Sequence, residues 1–186
     1  MNLMTLNLTA YPGEYAEADV LKALSGAVDL SSQPLFAENG VQRGVNAEIL
    51  DAMFRTPNEA MCPLVMLQTW VENEVSAQGG GRIHTDYMMS LYFVYYFGVP
   101  STQFVAIDYV QQRRRHLTAA MKAIEMQTGG NLTATIPVSR HWKWDTSKES
   151  TFTYDYSFEN MGTTVPVPPG SGFNCVRVNR PISVWH

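Results

Sequence analysis

Residues 84–100, HTDYMMSLYFVYYFGVP, decide how this chain folds. Alternate positions from Thr85 form one face that is apolar or aromatic throughout: Tyr87, Met89, Leu91, Phe93, Tyr95 and Phe97. The other face is polar at His84 and Asp86 but aromatic by Tyr92 and Tyr96. An outer strand of a soluble domain keeps one wet face, because its side chains alternate with period 2. Three explanations fit: a strand central to a large core, a metal site at the polar start, or a face left for another protein.

The segments on either side of this strand predict its partners. Pro63 opens LVMLQTWVENEV, which we expect to form a strand over residues 64–75, paired with residues 84–97 as a hairpin around Gly79–Gly81. Pro100-Ser101-Thr102 ends the second strand and caps a long helix predicted over residues 103–126. Glycines 129 and 130 stop that helix, since glycine is common just past a helix end.

The remaining segments predict an α+β domain. Apolar spacing indicates a helix over residues 14–29, and Asn46 caps a short helix that ends at Arg55, with residues 31–44 as a loop between them. Alternation over residues 133–145 and 151–158 predicts a second hairpin around the turn DTSKES, and the C-terminal residues 173–186 predict a last strand. The order helix, hairpin, long helix, hairpin, strand indicates one antiparallel β-sheet with helices packed on it, in a single domain spanning residues 1–186.

Composition excludes several classes of function. The net charge of −4 is too small and of the wrong sign for gripping nucleic acid by its phosphates. No apolar run is long enough to span a membrane, and residues 1–15 lack the pattern of a signal peptide, so we expect an intracellular protein. Cys62 and Cys175 follow no metal-ligand spacing and are expected to be reduced thiols, with a Cys62 nucleophile as a remote alternative.

One pattern offers an enzymatic alternative. His84 and Asp86 share a strand face, and His141 follows later in the chain. The HxD…H order is similar to the facial triad of non-haem Fe(II), 2-oxoglutarate-dependent oxygenases. However, a helix of more than twenty residues separates the two histidines. The oxygenase family also has a basic residue about ten positions after its second histidine, and Lys148, in a polar turn, is the only candidate near that position. We therefore expect no metal, no cofactor and no enzymatic activity.

The arginine run 113–115 cannot form one basic patch, because successive helical residues point about 100° apart. Relative to the apolar residues Ile107, Val110, Leu117, Met121 and Ile124, Arg114 falls near the middle of the stripe. Its side chain either extends outward along its stem or pairs with a carboxylate, within the subunit or across an interface. Arg115 points away from the stripe.

The element order and the aromatic strands resemble the tail-terminator proteins of long-tailed bacteriophages. The residues that carry the resemblance are CPLVMLQTW, HTDYMMSLYFVYYF, the helix 103–126 and the strands near TATIPVSRHWKW, TFTYDYSF and VRVNRPISVWH. The resemblance implies a virion protein, made in the host cytoplasm, that forms a ring, usually a hexamer. It implies tail-tube and neck or head-completion proteins as partners, with DNA passing through the lumen without specific binding. Another neck or tail protein of related fold is the alternative.

A ring also answers the question raised by residues 84–100, because one strand face can cover the core while the other meets a neighbouring subunit. Tyr92, Val94 and Tyr96 are then candidate interface residues, since interfaces are enriched in aromatic side chains. The competing explanation is a sheet with both faces covered inside the chain. The proline- and glycine-rich segment 159–172 is expected to be a flexible loop, and its Val165 and Val167 are further interface candidates, together with Arg114.

Overall fold

A computed structural model describes residues 12–45, 47–55, 61–75, 84–128, 142–145, 148–154, 158–160, 163–165, 167 and 170–185. The described helices are α1 (Pro12–Ser25), α2 (Ala47–Arg55) and α3 (Gln103–Thr128). The described strands are β1 (Val41–Arg43), β2 (Leu64–Val75), β3 (His84–Tyr96), β4 (Trp142–Trp144), β5 (Thr151–Tyr154), β6 (Phe158–Asn160), β7 (Thr163–Val165) and β8 (Phe173–Trp185). The fold is α+β, with helices packed on a mostly antiparallel sheet, as the sequence predicts.

The main sheet is built around β3, which lies between β2 and β8 and pairs antiparallel with both. The predicted β2–β3 hairpin pairing is confirmed, with Leu64 opposite Val94 and Val75 opposite His84. Beyond β2, the short strand β1 adds a parallel edge, so the sheet is mixed rather than purely antiparallel. Residues 41–43 had been predicted as loop.

The predicted second hairpin is wrong. β4 and β5 do not pair with each other; both run antiparallel to β8, one after the other along the same edge. Trp144 lies opposite Ile182 and Thr151 opposite Asn179, so the chain runs in the same direction along β8 in both segments. Residues 133–141 of the predicted hairpin lie outside the described residues. A strand as long as β8 offers enough backbone for both segments, which removes the need for a turn between them.

The segment 159–172 is not wholly irregular. β6 and β7 pair as a separate two-stranded ribbon, with Glu159 opposite Thr164, which the prolines and glycines of this segment did not suggest. Its mobility stays a prediction. Where this segment joins β8, a Cβ on Gly172 would lie 2.6 Å from the backbone of Gly98, and both residues have positive φ, so only glycine fits this close approach.

Helices of the same chain pack against both faces of the sheet, and on the second face they cover only part of it. On the first face, α1 and α3 pack over the odd positions of β3 together with Trp142 and Trp144 of β4. On the second face, α2 covers Tyr92 and Val94 with its Leu50 and Met53. The part of this face beyond α2 is mixed. Ser90 donates a hydrogen bond to Asn179 across the β3–β8 pair. The next residue of this face, Met88, lies between Trp70 of β2 and Pro181 of β8.

A buried carboxylate joins α1 to the sheet. Glu17, which is buried, accepts hydrogen bonds from the backbone N and the hydroxyl of Thr69 in β2 and from Nε of Arg43 in β1 at 2.6 Å. Charged hydrogen bonds of this kind offset the cost of burying the carboxylate. They fix how α1 sits across the first two strands.

Candidate assembly surface

Tyr92 and Val94 are not available to a neighbouring subunit. Their side chains are 3% and 0% exposed, respectively, because α2 and Phe173 of β8 pack against them. Of the explanations left open by the sequence, coverage by the same chain is the one the structure shows for Tyr92 and Val94. The assignment of these two residues to an interface is thus corrected.

The other predicted interface residues near this face differ in their burial and in how far the structure describes them. Tyr96 is half-buried and its ring lies 4.9 Å from that of Phe173. Val167 is partly buried and packs against the same core cluster as Tyr92. Val165 lies on β7, but its side chain lies outside the described residues. Val167 therefore contacts its own chain, and a role in assembly for residues 165 and 167 stays a prediction.

The apolar stripe of α3 is only half covered. Leu117, Ala120 and Ile124 are buried against the first core, but Ile107 and Val110 remain 49% and 52% exposed. Phe104, in the first turn, is 85% exposed. Polar and aromatic residues take the inward positions in the first half of α3: Tyr109 stacks on Phe97, their ring centroids 5.0 Å apart. The first half of the helix consequently presents apolar side chains to solvent.

Arg113, rather than Arg114, is the arginine that faces the sheet. Arg113 donates a hydrogen bond from Nη1 to Oδ1 of Asn174 in β8. Its guanidinium carbon lies 4.7 Å from the centre of the Tyr154 ring in β5, a cation–π arrangement. Arg114 is exposed, which agrees with the first of its two alternatives, a side chain that extends outward along its stem, and its pairing across an interface stays a prediction. The helix is rotated relative to the predicted stripe because hydrogen-bonding groups occupy its inner face.

Replacing Arg113 by alanine should therefore lower the free energy of unfolding by about 1–3 kcal/mol, since a charged hydrogen bond and a ring contact are lost. Arg115→Ala, on the exposed side of the same helical turn, should change the free energy of unfolding by less than about 0.5 kcal/mol. Urea denaturation of both variants measures the difference. Equal midpoints and slopes would show that Arg113 does not hold α3 to the sheet.

An apolar groove runs between α3 and β5. Its α3 side consists of Val110, Leu117 and Met121, and its β5 side of Phe152 and Tyr154, which are about half exposed. We call this concavity, of about 860 Å³, the α3/β5 groove; with Phe104 and Ile107 it forms the α3/β5 face. β5 pairs with β8 on one side only, and within the described residues no strand pairs with its other edge. Both a row of apolar side chains and a line of backbone hydrogen-bonding groups thus face outward here.

The rim of the groove is basic. Arg113, Arg114 and Lys122 line it, and the acidic residue among its lining, Glu125, is paired at 3.2 Å with Arg180 of β8. Burial lowers the pKa of Arg180, and the Glu125 carboxylate partly opposes that shift. Arg180 also lies over the ring of Trp144. Exposed positive charge is therefore concentrated around an apolar floor, on a chain with net negative charge.

A second concavity, of about 670 Å³, lies on the other side of the ridge formed by Arg114, Thr118 and Lys122. Its far wall is the segment between α1 and β1, which includes Leu30 and Leu35. We call residues 27–35 the Leu30 turn. Leu30, at its tip, is 108% exposed.

His116 ties the Leu30 turn to α3 and the sheet. Its Nε2 lies 2.6 Å from the backbone oxygen of Leu35, and its Nδ1 lies 3.0 Å from the hydroxyl of Tyr95 in β3. A carbonyl oxygen only accepts, so Nε2 carries the proton and Nδ1 of the neutral ring accepts from Tyr95. Burial lowers the pKa of His116, partly opposed by the Leu35 hydrogen bond. Burial also raises the pKa of Tyr95, partly opposed by the charge of Arg113.

Stability should fall as pH is lowered through the range where histidine titrates. Because the pKa of His116 is lower in the folded than in the unfolded chain, the unfolded state binds more protons below about pH 6.5. The contribution of the neutral ring is therefore complete above that pH and is lost progressively at lower pH. Urea denaturation of wild type and His116→Gln at pH 7.5, 6 and 5 tests this expectation. The variant should lose less stability on acidification; parallel losses would contradict the assignment.

The residues of the oxygenase alternative are only partly described. Asp86 accepts a hydrogen bond from the Ser183 hydroxyl at 3.2 Å and pairs with Lys148 Nζ at 3.3 Å. His84 is placed by its backbone in β3, and His141 lies outside the described residues, so the expectation that the three bind no metal stays a prediction. Among the described side chains, no group of three His, Cys, Asp or Glu residues could hold a metal ion.

The two cysteines lie in environments that disfavour the thiolate. Cys175 is buried, and neither Cys62 nor Cys175 is in a disulfide. Burial raises the pKa of the Cys62 thiol to about 11, so the thiolate that nucleophilic chemistry requires is scarce at neutral pH.

Comparison with known proteins adds no relative: no family model and no curated protein matches the sequence. In the part of the chain that the structure describes, none of the helices combines the length and apolarity needed to cross a bilayer.

Proposed function

We propose that this protein is a structural assembly subunit that forms a closed ring, of the kind that terminates the tail of a long-tailed bacteriophage. The observation that carries the proposal is the α3/β5 face, where apolar residues of α3 and of β5 are exposed side by side. Contiguous exposed apolar surface of this kind marks an interaction site more often than it occurs on a monomer without a partner.

The energetic argument is that solvent exposure of this surface is costly and burial between subunits is favourable. Covering the exposed parts of Phe104, Ile107 and Val110 would contribute about 1–2 kcal/mol each. Phe152 and Tyr154 add aromatic area, which is typical of interface cores. The basic rim around them supplies charge at the boundary, where it improves association rate and orientation.

The proposal of a tail terminator rests on the resemblance in element order, and the order of the observed elements supports it. α1, the β2–β3 pair, the long α3 and the C-terminal β8 follow one another in the order on which the resemblance was based. In this proposal the ring lies in the virion between the tail tube and the neck, with those proteins as its partners. The net charge of −4 suits a lumen through which DNA passes without being held.

Light scattering over a concentration series tests the assembly role. The purified protein should show a mass several times that of one 20.8 kDa chain, and this mass should fall on dilution. A mass of one chain at every concentration up to the solubility limit, with no larger species on isolated tails, would contradict the proposed function.

A further inference from the structure

The Leu30 turn is built as a rigid projection. The carboxylate of Asp29 accepts hydrogen bonds from the backbone N of Ser31 at 2.7 Å and of Gln33 at 2.8 Å. Backbone hydrogen bonds close the turn at two levels, from Asp29 N to Gln33 O and from Leu35 N to Ala27 O. With His116 bound to the Leu35 oxygen, the base of the turn is fixed to α3.

The hydrogen bonds that order the turn do not bury the side chain of Leu30 against its own chain. Leu30 does not contact the core, since its side chain is fully exposed at the tip of a turn that backbone and Asp29 hydrogen bonds hold in place. A single exposed leucine is common on protein surfaces, but a leucine held out on an ordered turn loses little conformational entropy when it is buried by a partner. The turn is therefore preorganised for insertion into an apolar site.

The α3/β5 groove has the properties of that site. Its floor is apolar, through Val110, Leu117 and Met121, and its aromatic wall is open to solvent. Its rim carries Arg114 and Lys122, whereas the projection carries Asp29 directly beside Leu30. Polarity and charge are thus complementary between the turn and the groove.

We infer that the Leu30 turn of one subunit inserts into the α3/β5 groove of the next copy of this chain. This inference rests on the proposed function and specifies its subunit contact. The turn and the groove consist of different residues on opposite sides of the α3 ridge, so each subunit uses its turn on one neighbour and its groove on the other. Such a heterologous contact produces a ring when the rotation between subunits closes.

Disulfide cross-linking between separately prepared variants tests the contact. Leu30→Cys protein is mixed with Val110→Cys or with Met121→Cys protein, and a size tag on one partner identifies mixed dimers. Arg55→Cys is the matched control, because Arg55 is exposed at the end of α2, which covers the opposite face of the sheet. Unmodified protein, with Cys62 and Cys175, gives the background.

The yield of mixed dimers for at least one groove variant should exceed the yield for the control about tenfold or more. A contact raises the local thiol concentration from micromolar toward millimolar. If light scattering shows assembly but both groove positions cross-link only at the control level, the proposed contact is wrong and the ring proposal still holds. Dominant Leu30–Leu30 dimers would replace it with a two-fold contact. Control-level cross-linking in protein that stays monomeric would contradict both proposals.

Discussion

Val110→Lys is expected to abolish self-assembly while leaving the fold intact. Val110 is 52% exposed in the middle of the α3/β5 face, so its replacement removes little from the core of the subunit. Lysine has at least the helix propensity of valine, and its charge cannot pair with the neighbouring Arg113 and Arg114. At an interface, however, an ammonium group would have to be desolvated in place of an apolar side chain.

The lost burial and the added desolvation together should cost about 3 kcal/mol or more for each subunit contact, which is roughly a 150-fold loss of affinity. Gln111→Lys is the matched control, because it adds the same charge at the next, exposed position of the same helix. Light scattering and circular dichroism should show a folded monomer for Val110→Lys and a wild-type assembly for Gln111→Lys. Unchanged assembly of the Val110 variant would remove the α3/β5 face from the interface.

Tyr92→Ala should have the largest effect on stability. Its side chain is 3% exposed between β3 and α2, and truncation of a large buried aromatic residue costs about 3–5 kcal/mol. The loss should appear in the isolated subunit and be independent of protein concentration, because the residues that cover Tyr92 belong to the same chain.

Phe104→Ala provides the contrast for Tyr92→Ala. Phe104 is 85% exposed, so the free energy of unfolding of the monomer should change by less than about 0.5 kcal/mol. Urea denaturation in the Val110→Lys background separates folding from assembly. If Tyr92→Ala were as stable as Phe104→Ala in that background, Tyr92 would not be part of a core on the second face of β3. It would then again be a candidate interface residue.

The elements predicted well from the sequence are those whose pattern is local and long. The β2–β3 pair has an uninterrupted apolar run and a strand with one fully apolar face, and α3 begins at Gln103 as predicted, just after Thr102, whose hydroxyl accepts from Val105 N. The β4–β5 region failed because the six polar residues 145–150 resemble a turn. Only the length of β8, at the far end of the sequence, shows that both segments can share one edge.

The candidate site was predicted less well, for a related reason. Hydropathy correctly placed Tyr92 and Val94 on an apolar face. It does not show that α2 covers them, because that contact depends on tertiary packing. On α3, hydropathy placed Arg114 near the middle of the apolar stripe and gave no signal for Arg113 or His116. Arg113 and His116 turn inward because Asn174, Tyr95 and the Leu35 carbonyl, all distant in sequence, satisfy their hydrogen bonds. Ile107 and Val110 consequently remain exposed, so the exposed apolar surface that suggests an interface lies on α3 instead of β3.

The claim that this chain is a ring subunit is tested most directly by negative-stain electron microscopy of the purified wild-type protein at the concentration where light scattering shows its largest mass. We expect closed rings of uniform diameter, with six-fold averages, and no rings for Val110→Lys at the same concentration. Only single subunits, isolated dimers or open filaments in the wild-type images would contradict the account.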